Sequence, residues 1–80
     1  MANIMATEPA YDAASVTPSD TTRLGGVRAL YIGGPGNVKI TTEAGADVTF
    51  TGVLGGSILP VRATRVYATG TTATNIISLL

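Results

Sequence analysis

Cysteine, histidine and tryptophan are absent from this sequence of 80 residues, and charged residues make up only 12% of it. Without thiolates and imidazoles, the chain has no disulfide bond, no thiolate zinc site and none of the commonest catalytic bases or soft nucleophiles. A chain of this length buries only about 60% of the surface that it exposes when unfolded, so one copy alone is marginally stable. Self-association is the stabilising device that remains.

An excess of charge of either sign is also missing. Five basic residues balance five acidic ones, which gives a formal net charge of zero. A chain without net positive charge gains little free energy by neutralising phosphate groups, so we expect no nucleic-acid partner. No run approaches the roughly 18 to 20 apolar residues of a membrane helix, so no membrane partner is expected. Residues 1–8 have no basic region and no apolar stretch, which predicts no secretory signal and assembly in a cytoplasm.

The first part of the chain differs in composition from the rest. Residues 1–24 contain Pro9 and Pro18 among several Ser, Thr and Ala, and they sustain neither a period of 2 nor one of 3.6. We interpret residues 1–24 either as an extended N-terminal arm, which would dock on something else, or as a loosely docked segment. Residues 25–80 are then a single domain, since no linker divides them.

From residue 27 onward the pattern is that of β-strands. Thirteen threonines favour pleated, half-buried surfaces over helices. Apolar and alternating runs, separated by glycine-rich or polar turns, predict five strands near residues 27–32, 38–41, 48–51, 58–68 and 76–80. The expected fold is all-β, a small antiparallel β-sandwich or barrel of about five strands.

Two glycine-rich segments are interpreted as hairpin turns. Residues 33–37 (GGPGN) lack the Lys-Ser/Thr pair and the following helix of a phosphate-binding loop, so a turn is predicted there. Residues 54–57 (LGGS) fit a tight hairpin, because paired glycines suit positive φ.

The last strand is apolar on both faces, whereas a half-exposed strand would alternate. Ile76, Ile77, Leu79 and Leu80 carry this pattern. Either the strand is central in its sheet, or its second face is covered by another copy of the chain.

Side chains capable of chemistry are few. Glu43 and Asp47 flank a predicted hairpin tip, where they are interpreted as solvated charges, and calcium needs more oxygen ligands than two such side chains supply. We predict no catalytic residue, no metal and no cofactor, and hence no enzyme. Arg28, Arg62 and Arg65 lie inside predicted strands. They act either as surface charges that discourage misassembly or as interface residues, since arginine is enriched where chains meet.

Four tracts, taken in order, carry a resemblance to a known family: residues 28–34 (RALYIGG), 48–53 (VTFTGV), 58–62 (ILPVR) and 64–77 (TRVYATGTTATNII). With these tracts the chain resembles, from Tyr11 to Leu80, the head spike base proteins of tailed phages and of the gene transfer agents of alphaproteobacteria. The resemblance implies a structural protein on the capsid surface of a virion or gene transfer agent particle, assembled in the bacterial cytoplasm. It implies no catalytic residues.

The resemblance also implies partners. Members form the base of a spike at capsid vertices and carry a separate fibre protein, and the spikes are associated with attachment to host surface polysaccharide. A base at a five-fold vertex implies a homopentamer that contacts the major capsid protein and the spike fibre protein.

With this role, we expect the arm, anchored by Tyr11, to contact the capsid or a neighbouring copy. Contacts between copies are expected from the following residues: Arg28, Arg62, Arg65, Ile76, Ile77, Leu79 and Leu80.

Two other functions stay open on the sequence. A carbohydrate-binding module would need an exposed aromatic pair, and Tyr11, Tyr31 and Tyr67 are the candidates, although packing also explains them. A tail or neck adaptor of a phage-like particle would have similar size and composition.

Overall fold

The computed structural model describes residues 10–80, and within this range every regular element is a strand. The seven strands are, in chain order, β1 Ala13–Val16, β2 Ala29–Gly34, β3 Gly36–Thr42, β4 Asp47–Val53, β5 Ser57–Leu59, β6 Ala63–Val66 and β7 Thr74–Leu79.

The strands form two antiparallel sheets packed as a sandwich. The first sheet has the order β1-β7-β2-β5 and the second the order β4-β3-β6. The prediction of an all-β antiparallel fold is confirmed, and of sandwich and barrel it is the sandwich that forms. The described strands number seven where about five were predicted.

Alternation along the strands builds the core between the sheets. Leu30 and Ile32 point inward from β2, and Val38 and Ile40 point inward from β3, all with 0% exposure. Residues on one face of a strand recur every second position, so four such positions on facing strands fill the space between two sheets. The buried hydrophobic residues are Val27, Leu30, Ile32, Val38, Ile40, Ala63, Val66, Ala73 and Ile76.

The predicted long strand over residues 58–68 is divided. β5 ends at Leu59 in the four-stranded sheet, and β6 begins at Ala63 in the three-stranded sheet. Pro60 lies at the break, where it has no N–H to continue the ladder with β2. The Val61 N–H donates to the Leu59 carbonyl at 2.8 Å in a tight turn. The chain therefore crosses from one sheet to the other here.

Both predicted glycine-rich hairpins are corners between the sheets instead. Residues 33–37 join β2 to β3, and residues 54–57 join β4 to β5, and in each case the two strands belong to different sheets. Glycine at position 36 is required by close approach, because a Cβ there would lie 2.6 Å from the Ala73 nitrogen. Local turn chemistry thus marks a change of direction without specifying which strands pair.

The described part of the predicted arm is docked onto the sandwich. β1 pairs with β7 from Ala13↔Leu79 to Val16↔Ile76. The Leu24 N–H donates to the Thr64 carbonyl at 2.7 Å. Of the two alternatives, residues 10–24 therefore form the docked segment, and residues 1–9 lie outside the described residues.

The C-terminal strand is central, because β7 lies between β1 and β2. Ile76, at 2% exposure, belongs to the core of its own chain. Its predicted contact with another copy is therefore wrong, whereas Ile77 on the opposite face of β7 is half-buried.

Replacing Leu30 with Ala should destabilise the fold strongly, because its side chain is fully buried and truncation leaves a cavity. We expect a loss of about 2–5 kcal/mol in the free energy of unfolding. Leu54→Ala is the matched control, since Leu54 is 73% exposed and its loss should cost less than about 0.5 kcal/mol. Denaturant unfolding measures both, and similar losses for the two variants would contradict this core.

Candidate assembly surfaces

The outer surface of the four-stranded sheet is apolar. Ser15, Ile77, Tyr31 and Ile58 lie side by side on adjacent strands in one row across the sheet. A second row consists of Ala13, Leu79 and Ala29. We call the surface formed by its apolar members the apolar sheet face: Ala13, Ala29, Tyr31, Ile58, Ile77 and Leu79.

The apolar sheet face is not part of the core. Tyr31 is 37% exposed and Ile58 is 57% exposed. Ile77 and Leu79 are half-buried, but they are not among the partly buried residues that pack against the core in the described chain. Neither row contains a charged residue. A contiguous uncharged apolar surface of this kind is typical of a protein–protein contact.

The outer surface of the three-stranded sheet has the opposite character. Arg65 of β6, Thr41 of β3 and Asp47 of β4 lie in register across it. Lys39 lies two residues before Thr41 on the same face of β3, and its Nζ lies 4.7 Å from the centre of the Tyr67 ring. We call this surface the charged sheet face: Lys39, Thr41, Asp47, Arg65 and Tyr67.

Most polar groups of the charged sheet face hydrogen-bond to one another, whereas the buried Arg65 Nε has no hydrogen-bond partner among the described residues. The Thr41 hydroxyl donates to Asp47 Oδ1 at 2.7 Å, and the Tyr67 hydroxyl lies 3.3 Å from the same oxygen. These hydrogen bonds, that from Thr41 foremost, hold the pKa of Asp47 below its ordinary value. Arg65 lies with its guanidinium carbon 5.6 Å from the centre of the Tyr67 ring, a cation–π distance. The cluster is thus fixed in place on the surface of its own chain.

A cleft opens between the segment that precedes β2 and the segment that connects β5 to β6. Arg23, Arg28 and Arg62 line it together with Glu43. Arg62 Nη1 lies 3.6 Å from Glu43 Oε1 in an exposed ion pair. The structure therefore brings the predicted Arg28 and Arg62 together and adds Arg23, which the sequence pattern does not single out.

The remaining predicted contact residues lie on separate surfaces. Ile77 and Leu79 belong to the apolar sheet face, and Arg65 belongs to the charged sheet face. Leu80 packs against the core. Tyr11 is 92% exposed, and its N–H donates to the Leu80 carbonyl at 2.6 Å.

Tyr31 and Ile58 are apolar contact candidates that the sequence analysis does not select. Tyr31 stands between Leu30 and Ile32, both fully buried. Alternation alone places a residue between two core residues on the outer face of its sheet. The alternation is visible in the sequence. It predicts that Tyr31 is exposed, however, only once Leu30 and Ile32 are known to face inward.

Over residues 10–80, no group of three or more acidic, His or Cys side chains is arranged to hold a metal ion. The same range contains no helix long and apolar enough to cross a membrane.

Comparison with solved structures gives a match that covers most of the chain. No family model matches the chain, and neither does any curated protein. Among solved structures, a chain from the "Capsid of native GTA particle computed with C5 symmetry" is 44% identical, with a TM-score of 0.81. The alignment covers 91% of this chain and 86% of that chain.

An all-β sandwich with this degree of identity to a particle component defines the class as a virion structural protein. The chain belongs to the family of that capsid chain of the gene transfer agent (GTA) particle.

Acid should selectively remove a contact between the N-terminal segment and the turn before β7. Asp20 accepts hydrogen bonds from the Thr69 N–H at 2.9 Å and from the Thr69 hydroxyl at 2.7 Å, and these bonds lower the pKa of Asp20 below its ordinary value. Because the pKa is lower in the folded state, the contribution is present above the unfolded pKa and is lost as pH falls through the folded pKa.

The melting temperatures of the natural protein and Asp20→Ala, measured from pH 6 downward, test this contact. We expect the natural protein to be more stable near pH 6 and the difference to shrink below the ordinary aspartate pKa. A difference that stays constant into strong acid would contradict the assignment.

Proposed function

We propose that this chain forms the oligomeric base of a spike at the capsid vertices of a gene transfer agent or phage particle. The base lies on the capsid surface, contacts the major capsid protein and carries a fibre protein used in attachment to host surface polysaccharide. The observation that carries the proposal is the 44% identity to a chain of a GTA capsid, supported by the four sequence tracts that resemble spike base proteins.

Association into a ring of five agrees with the symmetry of the related particle. The capsid that contains the related chain was computed with C5 symmetry. Cyclic rings are built from head-to-tail contacts, in which one surface of a copy meets a different surface of the next. The apolar sheet face supplies one such surface, since Tyr31 and Ile58 are exposed there and no charge opposes their burial.

Carbohydrate binding by this chain itself has no supporting aromatic pair. Tyr31 lies on the outer surface of the four-stranded sheet, and Tyr67 lies with Lys39 and Arg65 beside the other sheet. Tyr11 lies beside the chain end at Leu80. In this proposal the polysaccharide is therefore contacted by the fibre, and the base provides the attachment point.

Replacing both Tyr31 and Ile58 with Ser should dissociate the ring. A side chain contributes about 1.5–3 kcal/mol when it is buried from full exposure. Only the exposed 37% of Tyr31 and 57% of Ile58 remain to be buried, so the contact should weaken by roughly 10- to 100-fold. Sedimentation velocity of the full chain should show a shift from oligomer to single copies. Leu54→Ser is the control, because Leu54 is equally apolar and 73% exposed but lies outside the apolar sheet face. An unchanged profile for the double variant would exclude this face as the contact.

Deleting residues 2–9 tests the docking role of the N-terminal arm. The deletion removes none of the described strands, because β1 begins at Ala13. We expect a folded oligomer that no longer decorates purified particles, measured as the amount of labelled protein bound per particle. In a second variant, a Gly-Ser segment of equal length replaces residues 2–9. This variant shows whether decoration depends on the sequence of the arm or only on its length. Full decoration by either variant would show that the arm does not dock the base.

A further inference from the structure

The cleft between the segment before β2 and the β5–β6 connection concentrates the positive charge of the chain. Arg23, Arg28 and Arg62, three of its five basic residues, line the cleft, and Glu43 is the one carboxylate among the lining residues. The formal net charge of the whole chain is zero. The cleft is thus a local cationic site in a neutral protein.

Backbone hydrogen bonds hold the two walls of the cleft together. The Leu24 N–H donates to the Thr64 carbonyl at 2.7 Å, which ties the wall that carries Arg23 to the start of β6. The Glu43 N–H donates to the Arg62 carbonyl at 2.9 Å. A site whose backbone is already fixed loses little conformational entropy when it binds a ligand. The cleft is therefore pre-formed.

The ion pair between Arg62 and Glu43 is weak enough to exchange. The Arg62 and Glu43 side chains are 66% and 63% exposed, and their charged atoms lie 3.6 Å apart. Exposed pairs of this kind contribute little, because water and salt screen them and both side chains lose freedom. Glu43 therefore competes with any ligand for the guanidinium group of Arg62. A carboxylate ligand that binds Arg62 more tightly can displace Glu43.

The chemistry of the lining favours a protein ligand. Guanidinium groups bind carboxylates through paired hydrogen bonds, and arginine is enriched at protein–protein contacts. Val27 and Ala63, nearly fully buried, provide an apolar floor beside the arginines. The lining residues include no aromatic side chain on which a sugar ring could stack.

We propose that this cleft binds the carboxylates of an acidic segment of a protein partner, with Arg23 and Arg62 as the groups that contact them. The proposal stands on the cleft alone and does not depend on the chain being a spike base. In this proposal Glu43 is an internal competitor for Arg62. Substitutions of Glu43 and of Arg62 should therefore change the affinity for the acidic segment in opposite directions.

A fluorescently labelled hexaglutamate peptide, titrated against the full chain and followed by fluorescence anisotropy, tests the proposal. Arg62→Gln and Arg23→Gln should each weaken binding by roughly 10-fold, because each removes charge-assisted hydrogen bonds. Glu43→Gln should tighten binding by roughly 3-fold, because it releases Arg62 and raises the charge of the cleft. Arg65→Gln removes the same charge from the charged sheet face and should leave binding within about 2-fold.

Several results would overturn the proposal. Equal weakening by Arg65→Gln and Arg62→Gln would show attraction by overall charge, and weaker binding by Glu43→Gln would show that Glu43 is no competitor. Oligogalacturonate of the same charge is the comparison ligand, and binding of this sugar in place of hexaglutamate would make the cleft a polysaccharide site. Absence of hexaglutamate binding to a chain that circular dichroism shows to be folded would also overturn it.

Discussion

A β-strand presents its side chains alternately to two faces, and a sandwich of two sheets encloses only one face of each. Burial of Leu30 and Ile32 on the inner side of β2 therefore places Tyr31 on the outer side. A slip of one residue would exchange these faces and expose the core, so the register that forms the core also forms the apolar sheet face. Residues 10–80 form no third layer over that surface, and the proposed association with another copy would cover it.

The net charge of the chain is zero, but its charged residues are distributed unevenly among its surfaces. The apolar sheet face has none, the charged sheet face holds Lys39 and Arg65 around Tyr67, and the cleft gathers three arginines. This separation could not be predicted from the sequence, because Arg23, Arg28 and Arg62 come from segments that meet only after the sheets have formed. Composition indicated a net charge of zero, but it could not indicate a local cationic cleft.

The fold class was predictable because its signals are local: alternating apolar residues, abundant threonine and glycine-rich turns. Pairing was less predictable, because a turn signal does not specify the sheet of the next strand. The corner at Gly36 and the break at Pro60 were therefore misinterpreted as a hairpin and as part of one long strand. β1 was missed because Ala13–Val16 is short and small, and its pairing with β7 stabilises a strand that its own sequence does not favour. Ile76 was placed at a contact because apolarity alone does not separate the two faces of a central strand.

Whether another copy covers the apolar sheet face is decided most directly by the mass of the native protein. For the proposed ring of five copies, native mass spectrometry of the purified full chain should show one dominant species with the mass of five chains. That species should persist when the salt concentration is raised, since burial of an uncharged apolar surface is insensitive to screening by salt. A stable single-chain species at micromolar concentration, with cooperative unfolding, would contradict the account.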